Sequence, residues 1–378
     1  MKNIVSLSFA FLVSFACFGQ HNIEDKIKKL FTAELEKETI KNAFLHVYSK
    51  SKAIDIQLAE GKFNTGESVT IDNPFYVASI GKTFTATAIG ILRDKNLLAF
   101  EDEISKYLSK DILKGVHIYN GVDYSNKITI AQLLQHTSGL SDYFEDKTRN
   151  GAPNMMEQLF MNPTQEWTSL ALIQFYKNQM PPLFAPGTGY HYTDTEYVLL
   201  GLIIEEVSGL KLHEFFRHYI FKPLKMNHTY MNLRSKPIEA TPKMAEIYVG
   251  DFEISSFKSL SADWAGGGIV STTQDLITFQ ESLFTGALVK KETLSAMQQW
   301  VVETQGMYYG FGLRKIHPHE LDKSLPNIEL IGHSGSTSSF LFYSSTEDVY
   351  ISGTLNQTDE VRSSVLLLSA IIALSKND

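Results

Sequence analysis

The sequence predicts an α+β fold in which one sheet is assembled from both ends of the chain. Segments with strand character lie at 43–58 and again at 310–353, whereas apolar residues recur at helical spacing between them. This order of elements favours a sheet-containing part with an inserted helical subdomain at about 100–232. A catalytic crevice is expected where the two parts meet.

The first third supplies the elements that lead to the crevice. Residues 23–36 have the apolar spacing of an amphipathic helix, and 43–48 and 53–58 have the composition of two strands, which we expect to form a hairpin. Residues 74–78 are extended in character. Residues 83–92 then carry apolar side chains at helical spacing, so a long buried helix follows the extended segment.

The middle is mostly helical, and the last third returns to strands. Residues 128–134 and 197–207 have the clearest helical patterns. Residues 142–168 are expected to form a surface loop with one short helix, the alternative being a lid over the crevice. The last third contains three strands and a closing apolar helix laid on the sheet, at 310–316, 338–343, 348–353 and 361–374.

Composition narrows the class of partner. The chain has 378 residues and a formal net charge of -8, and its lysines and arginines are scattered, so no basic stripe indicates a nucleic-acid partner. The length suits one or two domains of ordinary globular composition. A small-molecule or peptide substrate is the expected partner.

The N-terminus resembles an export signal. A short basic start and an apolar run ending at Phe18 predict a signal peptide at 1–19, followed by one domain at 22–378 in the periplasm or outside the cell. The single cysteine, Cys17, would become a lipid anchor if cleavage fell before it, and only then would the protein be held at a membrane. Residues 14–17 lack the aliphatic residue of a good lipidation signal.

The most informative short motif joins Ser79 and Lys82, where the extended segment turns into the apolar helix. Residues three apart share a helix face, so the Lys82 amine can reach the Ser79 hydroxyl. A lysine in a partly desolvated pocket favours its neutral form and can accept the serine proton. The pair therefore predicts a serine nucleophile activated without histidine, the alternative being that Ser79 caps the helix.

The same spacing occurs three more times, so the surrounding sequence has to distinguish among the four serine and lysine pairs. Ser49 with Lys52 lies at a strand end, Ser208 with Lys211 follows a helix, and Ser255 with Lys258 lies in a polar stretch. Only Ser79 opens a long apolar helix. Two further segments support it: 186–194, a turn-rich run that ends in Tyr192 and Asp194, and 332–336, a small-residue strand where a backbone can approach a substrate.

These segments, in this order, resemble the serine β-lactamase and penicillin-binding protein superfamily, in its class C β-lactamase, D-aminopeptidase and esterase branch. Residues 133–140, 221–226 and 265–272 are similar to further signatures of that family. The resemblance covers nearly the whole mature chain. It implies a β-lactamase/DD-peptidase-like fold with an antiparallel sheet, and no cofactor or metal.

The resemblance also implies roles for individual residues. Ser79 would be acylated, Lys82 would activate it, and Tyr192 would share the proton transfers if nearby positive charge stabilised its phenolate. The backbone N–H groups of Ser79 and Ser336 would form the oxyanion hole. The substrate would lie along the strand that contains His333, Ser334 and Gly335, and beside Asp194.

Two departures from the family pattern bear on the substrate. Many relatives have asparagine where this chain has Asp194, which can pair with Lys82 and hold it charged, or bind a cationic group of a substrate. Most β-lactamases have lysine where this chain has His333, which is only partly charged near neutral pH. We therefore expect a serine hydrolase of D-amino-acid peptides or small esters. The alternatives are a class C-like β-lactamase and a catalytically weak penicillin-binding or sensor module.

Other motifs carry less weight. His213 and His218 are spaced one residue too far apart for a zinc-protease helix. Residues 332–336 also resemble a nucleophile elbow centred on Ser334, but Ser336 stands where that motif needs glycine. Residues 266–268 are interpreted as a tight turn against the sheet.

Overall fold

The computed structural model describes residues 23–374, so the predicted signal peptide and Cys17 lie outside the described residues. Within that range no helix is long and apolar enough to cross a membrane. The strands are β1 Asn42–Ser49, β2 Ile54–Gly61, β3 Phe75–Tyr76, β4 Ile118–Tyr119, β5 Val122–Asp123, β6 Tyr230–Met231, β7 Tyr248–Val249, β8 Phe252–Glu253, β9 Ile269–Ser271, β10 Val301–Thr304, β11 Met307–Tyr309, β12 Arg314–Ile316, β13 Leu330–Ser334, β14 Phe340–Ser344 and β15 Val349–Thr354.

Helices surround and separate these strands. They are α1 at 23–34, followed by α2 Gly81–Asp94, α3 Lys110–Leu113, α4 Ile130–Leu134, α5 Met155–Met161, α6 Ser169–Gln179, α7 Asp194–Ser208, α8 Leu212–Phe216, α9 Trp264–Gly267, α10 Thr273–Phe284, α11 Lys291–Met297, α12 Pro318–Leu321 and α13 Val361–Leu374. Single turns of 3₁₀ helix occur at Ala78–Ile80, Ile104–Lys106, Lys258–Ala262 and Thr358–Glu360, and a π-helical turn at Arg217–Phe221.

The main sheet has eight antiparallel strands in the order β10-β11-β12-β13-β14-β15-β1-β2. Strand β1 pairs with β15, with Phe44 opposite Thr354 and Tyr48 opposite Tyr350. The two ends of the chain therefore meet in the middle of one sheet. This confirms the predicted α+β fold with an antiparallel sheet built from both termini.

Alternating residues of the sheet face two separate cores. Ala43, Leu45 and Val47 of β1 pack with apolar residues of α1 and α13, whereas Phe44 belongs to the core on the opposite face. Helix α10 packs on that opposite face against β1, β14 and β15. The period of two in β1 thus places one apolar layer on each side of the sheet.

Helix α2 passes through the larger core, and it is buried on nearly all sides. Phe84 of α2 stacks on Phe279 of α10 with ring centroids 3.8 Å apart, and α2 also packs against α7. The short strand β3, which leads into α2, pairs with β9. Both the start and the flank of α2 are therefore held by packed elements, which fixes the position of Ser79 and Lys82.

One predicted strand is shorter in the structure. Residues 310–316 were expected to be extended throughout, but only Arg314–Ile316 form β12. Gly312 has a φ of 63°, and the Gly310 N–H donates to the Leu313 carbonyl, so the chain turns before the strand begins. A Cβ at Gly312 would lie 2.4 Å from Ala86 Cβ and 2.8 Å from the Lys82 carbonyl oxygen, so only glycine lets this turn pack so closely on α2.

Candidate active site

Ser79 lies on the 3₁₀ turn that precedes α2, and it does not cap that helix. The residue that caps α2 is Ile80, with no side-chain hydrogen bond to the helix, whereas Lys82 Nζ donates to Ser79 Oγ at 3.1 Å. Ala78, just before the serine, has a φ of 48°, a backbone conformation that costs free energy in a non-glycine residue. The hydroxyl is thus directed at Lys82 by a strained turn.

Lys82 is completely buried and surrounded by acceptors. Besides Ser79 Oγ, its Nζ contacts Asp194 Oδ1 at 2.5 Å and the Gly266 carbonyl oxygen at 3.2 Å. Burial by itself lowers the pKa of Lys82, but the Asp194 carboxylate outweighs it and raises that pKa above its ordinary value. The expectation of a neutral lysine is therefore wrong for this resting arrangement, and Asp194 pairs with Lys82 and holds it charged.

Tyr192 lies beside the same ammonium group. Its ring centroid is 4.9 Å from Lys82 Nζ, and it lies two residues before Asp194, where α7 begins. Burial raises the pKa of Tyr192, and the positive charge of Lys82 offsets only part of this effect. The phenol therefore keeps its proton at neutral pH, and the predicted phenolate is not its resting form.

Two more carboxyl groups approach Asp194. Asp142 accepts the Asp194 N–H at 2.8 Å, and Asp263 accepts the Tyr76 hydroxyl at 2.9 Å. Burial and the charge of Asp194 raise the pKa of Asp142 to about 8 and that of Asp263 to about 6. Lys82 is thus the only ammonium group bonded to this carboxyl cluster (Asp142, Asp194, Asp263) in the part of the chain described.

Two backbone N–H groups are available near the serine. Among residues 23–374, the N–H groups of Ser79 and Ser336 donate to no other protein group, and both residues line the same cavity. Ser336 follows Gly335 in the turn after β13. The arrangement suits an oxyanion hole, because unpaired donors beside a nucleophile can stabilise charge that develops on a carbonyl oxygen.

Gly335 is required by close approach of the backbone. A Cβ there would lie 2.3 Å from Ser339 Oγ and 2.5 Å from the Val77 carbonyl oxygen. We expect Gly335→Ala to displace the Ser336 N–H and lower kcat about a hundredfold or more, the usual effect of losing one oxyanion donor. Steady-state hydrolysis of a small ester measures this. An unchanged kcat would show that Ser336 does not contribute such a donor.

His333 does not occupy the position expected of it. Its side chain is fully buried, and a hydrogen bond of 2.9 Å joins its Nε2 to the Tyr309 hydroxyl. Burial, together with the positive charges of Arg314 and Lys82, lowers its pKa well below the ordinary value. His333 is therefore neutral and out of reach of a ligand, and Ser334 and Gly335 are the residues of this strand that face the cavity.

Sequence reasoning missed Arg314, which supplies the positive charge on this wall. Its guanidinium binds both carboxylate oxygens of Glu303 at 2.7 Å, donates to Ser334 Oγ at 3.2 Å, and lies 5.4 Å from the Tyr192 ring centroid. Arg314 belongs to no recognisable motif. The one feature that could have revealed it is a charged residue within a segment predicted to be a strand.

These groups open into one cavity of about 750 Å³. Ser79, Tyr192, Asp194 and Ser336 lie on its lining. Helix α5 and strand β7 contribute an apolar wall, formed with neighbouring loops by Phe144, Met156, Leu159, Phe160, Ile247, Val249, Ile254 and Leu260. The segment 142–168 is thus a loop with one short helix, as expected, and it lines the cavity.

Comparison with known families agrees with this geometry. The family model described as Beta-lactamase matches residues 27–373. The chain belongs to the β-lactamase family. This places it in the serine β-lactamase and penicillin-binding protein superfamily, which confirms the resemblance inferred from the sequence.

Two proteins with different names illustrate what this chain is similar to. Penicillin-binding protein 4* of Bacillus subtilis is 28% identical over 282 residues, which are 69% of this chain and 55% of that protein. This chain thus matches about half the length of that relative. The D-amino acid amidase of Ochrobactrum anthropi SV3, complexed with D-phenylalanine, has a TM-score of 0.77 at 20% identity, with 94% of this chain and 100% of that chain covered.

A third relative of the same fold is EstCE1, described as a hydrolase with promiscuous acyltransferase activity. Its TM-score is 0.74 at 18% identity, and the match covers 94% of this chain and 99% of that one. At these identities the two structures show the β-lactamase-family fold alone.

The remaining sequence candidates lie away from this β-lactamase-family cavity. Ser208 donates to the Ile204 carbonyl at the end of α7, and Ser255 accepts the Ile247 N–H, so both take part in local turns. Ser49 accepts the Lys52 N–H at a strand end. Within residues 23–374, no group of three or more histidine, cysteine and acidic residues could hold a metal ion.

Residues 266–268 do more than form a turn. Gly266 belongs to the short helix α9, and its carbonyl oxygen accepts a hydrogen bond from Lys82. A Cβ at Gly266 would lie 2.1 Å from Asp194 Oδ1, so glycine is needed for the Lys82 and Asp194 pair to form. The run of three glycines did not predict this contact with Lys82, because nothing in their residue type indicates a partner far away in the sequence.

Proposed function

We propose that this protein is an exported serine hydrolase that forms an acyl-enzyme on Ser79, with a D-amino-acid peptide, amide or small ester as substrate. The observation that carries the proposal is the contact of Lys82 with Ser79 Oγ beside two unpaired N–H groups. Nucleophile, proton-transfer group and oxyanion donors then surround one cavity.

The geometry supports a two-step reaction. Ser79 Oγ forms a bond to the substrate carbonyl carbon while its proton is transferred through Lys82. The N–H groups of Ser79 and Ser336 stabilise the oxyanion. The intermediate then expels the amine or alcohol, which takes a proton from the Tyr192 phenol, and Tyr192 regains one through Lys82. Water then attacks the carbonyl carbon of the acyl-enzyme with the same proton transfers. Ser79 Oγ leaves with a proton, and the acid is released.

The charge of the cavity supports the choice of substrate. Six acidic residues line it, and five of them remain when Asp142 is left out because its pKa is raised to about 8. The cationic residues of the lining are Arg314 and His191, which already contact Glu303 and Asp146. A penicillin or cephalosporin carries a carboxylate, which this surface would repel. An acyl donor with a free amine, or an uncharged ester, meets no such repulsion, and its apolar part can pack on the wall formed with α5.

A substrate panel tests the proposal. D-amino-acid amides, D-peptides, short acyl esters and a cephalosporin are each offered to the wild type and to Ser79→Ala. We expect turnover of amides or esters by the wild type, little turnover of the cephalosporin, and none by Ser79→Ala. Equal turnover by both proteins would refute the Ser79 mechanism, whereas rapid cephalosporin turnover alone would support the class C-like β-lactamase alternative.

Intact mass distinguishes an enzyme from a binding or sensor module. A phosphonate or penicillin probe is expected to add its mass once to the wild type and not to Ser79→Ala. A stable adduct without turnover of any substrate would favour a sensor. The absence of any adduct would favour a binding module, because all acyl-enzyme chemistry requires that bond.

The proposed export has its own test. The apolar run that ends at Phe18 supports cleavage of residues 1–19. Mass determination of the mature protein from a bacterial host is expected to show their loss. A species extended by acyl chains at Cys17, and lost in Cys17→Ser, would instead indicate a lipoprotein.

A further inference from the structure

The contacts of Lys82 leave its amine without a free lone pair. An ammonium group has three N–H donors, and the three acceptors within reach are Asp194 Oδ1, Ser79 Oγ and the Gly266 carbonyl oxygen, at 2.5, 3.1 and 3.2 Å. A lysine in this form donates to Ser79 and cannot accept from it. Lys82 must therefore lose one proton as the Ser79 proton arrives.

The neighbours of Nζ limit where that proton can go. The Gly266 carbonyl is not a base, and Ser79 is the nucleophile. The Tyr192 ring and hydroxyl both lie near Lys82, but burial raises the pKa of Tyr192, so the phenol keeps its own proton and is not a base in the resting site. In the described part of the chain, Asp194 is the only carboxylate in hydrogen-bond contact with Nζ, and its distance of 2.5 Å is the shortest of the three.

We propose that Asp194 is the terminal proton acceptor of the acylation step, so that Ser79, Lys82 and Asp194 act as a proton relay. As the Ser79 Oγ bond to the carbonyl carbon forms, the carbonyl electron pair moves onto oxygen. The Ser79 proton passes to Nζ, and one Nζ proton passes to Asp194 Oδ1. When the leaving group departs, the proton returns from Asp194 to Lys82 and on to Tyr192. The inference rests on the proposed acyl-enzyme mechanism.

Asp194 shares its surroundings with two further buried carboxyl groups. Burial and the charge of Asp194 raise the pKa of Asp142 and that of Asp263. The titratable groups that face Asp194 are Lys82 from α2, Tyr76 from β3, Asp142 and Tyr143 from the loop after α4, Tyr192 before α7, and Asp263 before α9.

Asp194→Asn tests the relay through the pH dependence of kcat/KM. Asparagine can still accept a hydrogen bond from Lys82 but cannot take a proton. Because the variant has no acceptor for an Nζ proton, Lys82 itself must be deprotonated before it can act as the base. Burial lowers the pKa of Lys82 and the largest charge that raises it is gone, so this deprotonation is within reach of the assay.

We expect the acid limb of the kcat/KM profile of Asp194→Asn to lie at higher pH than that of the wild type. On that limb, the ratio of wild-type to variant kcat/KM should decrease about tenfold for each unit of rising pH.

The control is Asp102→Asn, which removes the carboxylate of a lysine and aspartate pair outside the cavity, that of Lys106 with Asp102. Its pH profile is expected to match that of the wild type. A deficit of Asp194→Asn that is equal at every pH would overturn the inference, because a residue that only positions Lys82 would lower activity without moving the limb.

Failure of this inference can be separated from failure of the proposed function. If a phosphonate labels the wild type and not Ser79→Ala, the acyl-enzyme stands, whatever the profile of Asp194→Asn. Should Asp194→Asn fail to fold, a proton inventory of wild-type acylation in mixtures of H2O and D2O provides the second test. The relay moves one proton from Ser79 to Lys82 and another from Lys82 to Asp194, so the acylation rate should fall along a curve as the deuterium fraction rises. A linear dependence, as for a single transferred proton, would overturn the inference.

Discussion

Replacement of Lys82 by methionine is expected to lower kcat for ester hydrolysis about 10³- to 10⁴-fold, the upper range for loss of a proton-transfer group. Methionine keeps much of the buried side-chain volume but cannot exchange a proton with Ser79 Oγ. Because Lys82 is completely buried and faces Ser79 rather than the substrate, KM should change little. Steady-state kinetics with one ester and one D-amino-acid amide measure both constants.

Two further variants distinguish a loss of catalysis in Lys82→Met from a loss of stability. Lys211→Met changes a lysine with the same serine spacing, paired with Glu205 at the surface, and should retain wild-type activity. The double variant Lys82→Met with Asp194→Asn removes the Asp194 carboxylate that Lys82→Met alone leaves without its ammonium partner, so the fold should recover while turnover stays lost. Recovery of turnover in the double variant would mean that Lys82 serves only to neutralise Asp194.

Gly266→Ala is expected to weaken both stability and activity, although it adds one methyl group. Its Cβ would lie 2.1 Å from Asp194 Oδ1 and 3.5 Å from Lys82 Nζ, so the pair must separate or α9 must shift. Separation of a buried ion pair leaves a charge uncompensated, which costs about 3–5 kcal/mol. A misplacement of about 1 Å at such a site lowers kcat/KM about a hundredfold.

Chemical denaturation and steady-state kinetics measure these two effects of Gly266→Ala. Gly189→Ala is the matched control, since a Cβ there would approach nothing closer than the Phe184 ring at 3.3 Å. We expect the control to change the free energy of unfolding by about 1 kcal/mol or less. A Gly266→Ala protein with wild-type stability and turnover would show that the short helix α9 adjusts freely.

Most of the large sheet could be predicted because its central strands bury both faces or alternate regularly. Strands β1, β14 and β15 have long apolar or β-branched runs, and each was expected within two residues of its bounds. The edge strand β10 was not predicted, since every second residue is exposed and the strand is only four residues long. Its pairing with β11 depends on the tertiary structure rather than on local pattern.

The candidate site was predictable where a short motif carried the chemistry. Ser79, Lys82, Tyr192 and Asp194 lie in motifs, and the structure brings them together. Arg314 and Gly266 were missed because their importance comes from contacts with residues far away in the sequence. Even for Lys82, the residue type was informative but the protonation state was not, since it depends on a carboxylate supplied by α7.

The pairing of β1 with β15 has a consequence for how the protein is synthesised. Strand β1 emerges early from the ribosome, but its partner is among the last segments made, so the centre of the sheet stays open until translation is nearly complete. The turn after β13 that contains Ser336 belongs to the same late segment. A nascent chain can therefore carry Ser79 and Lys82 without an oxyanion hole, and catalytic competence should appear only after release.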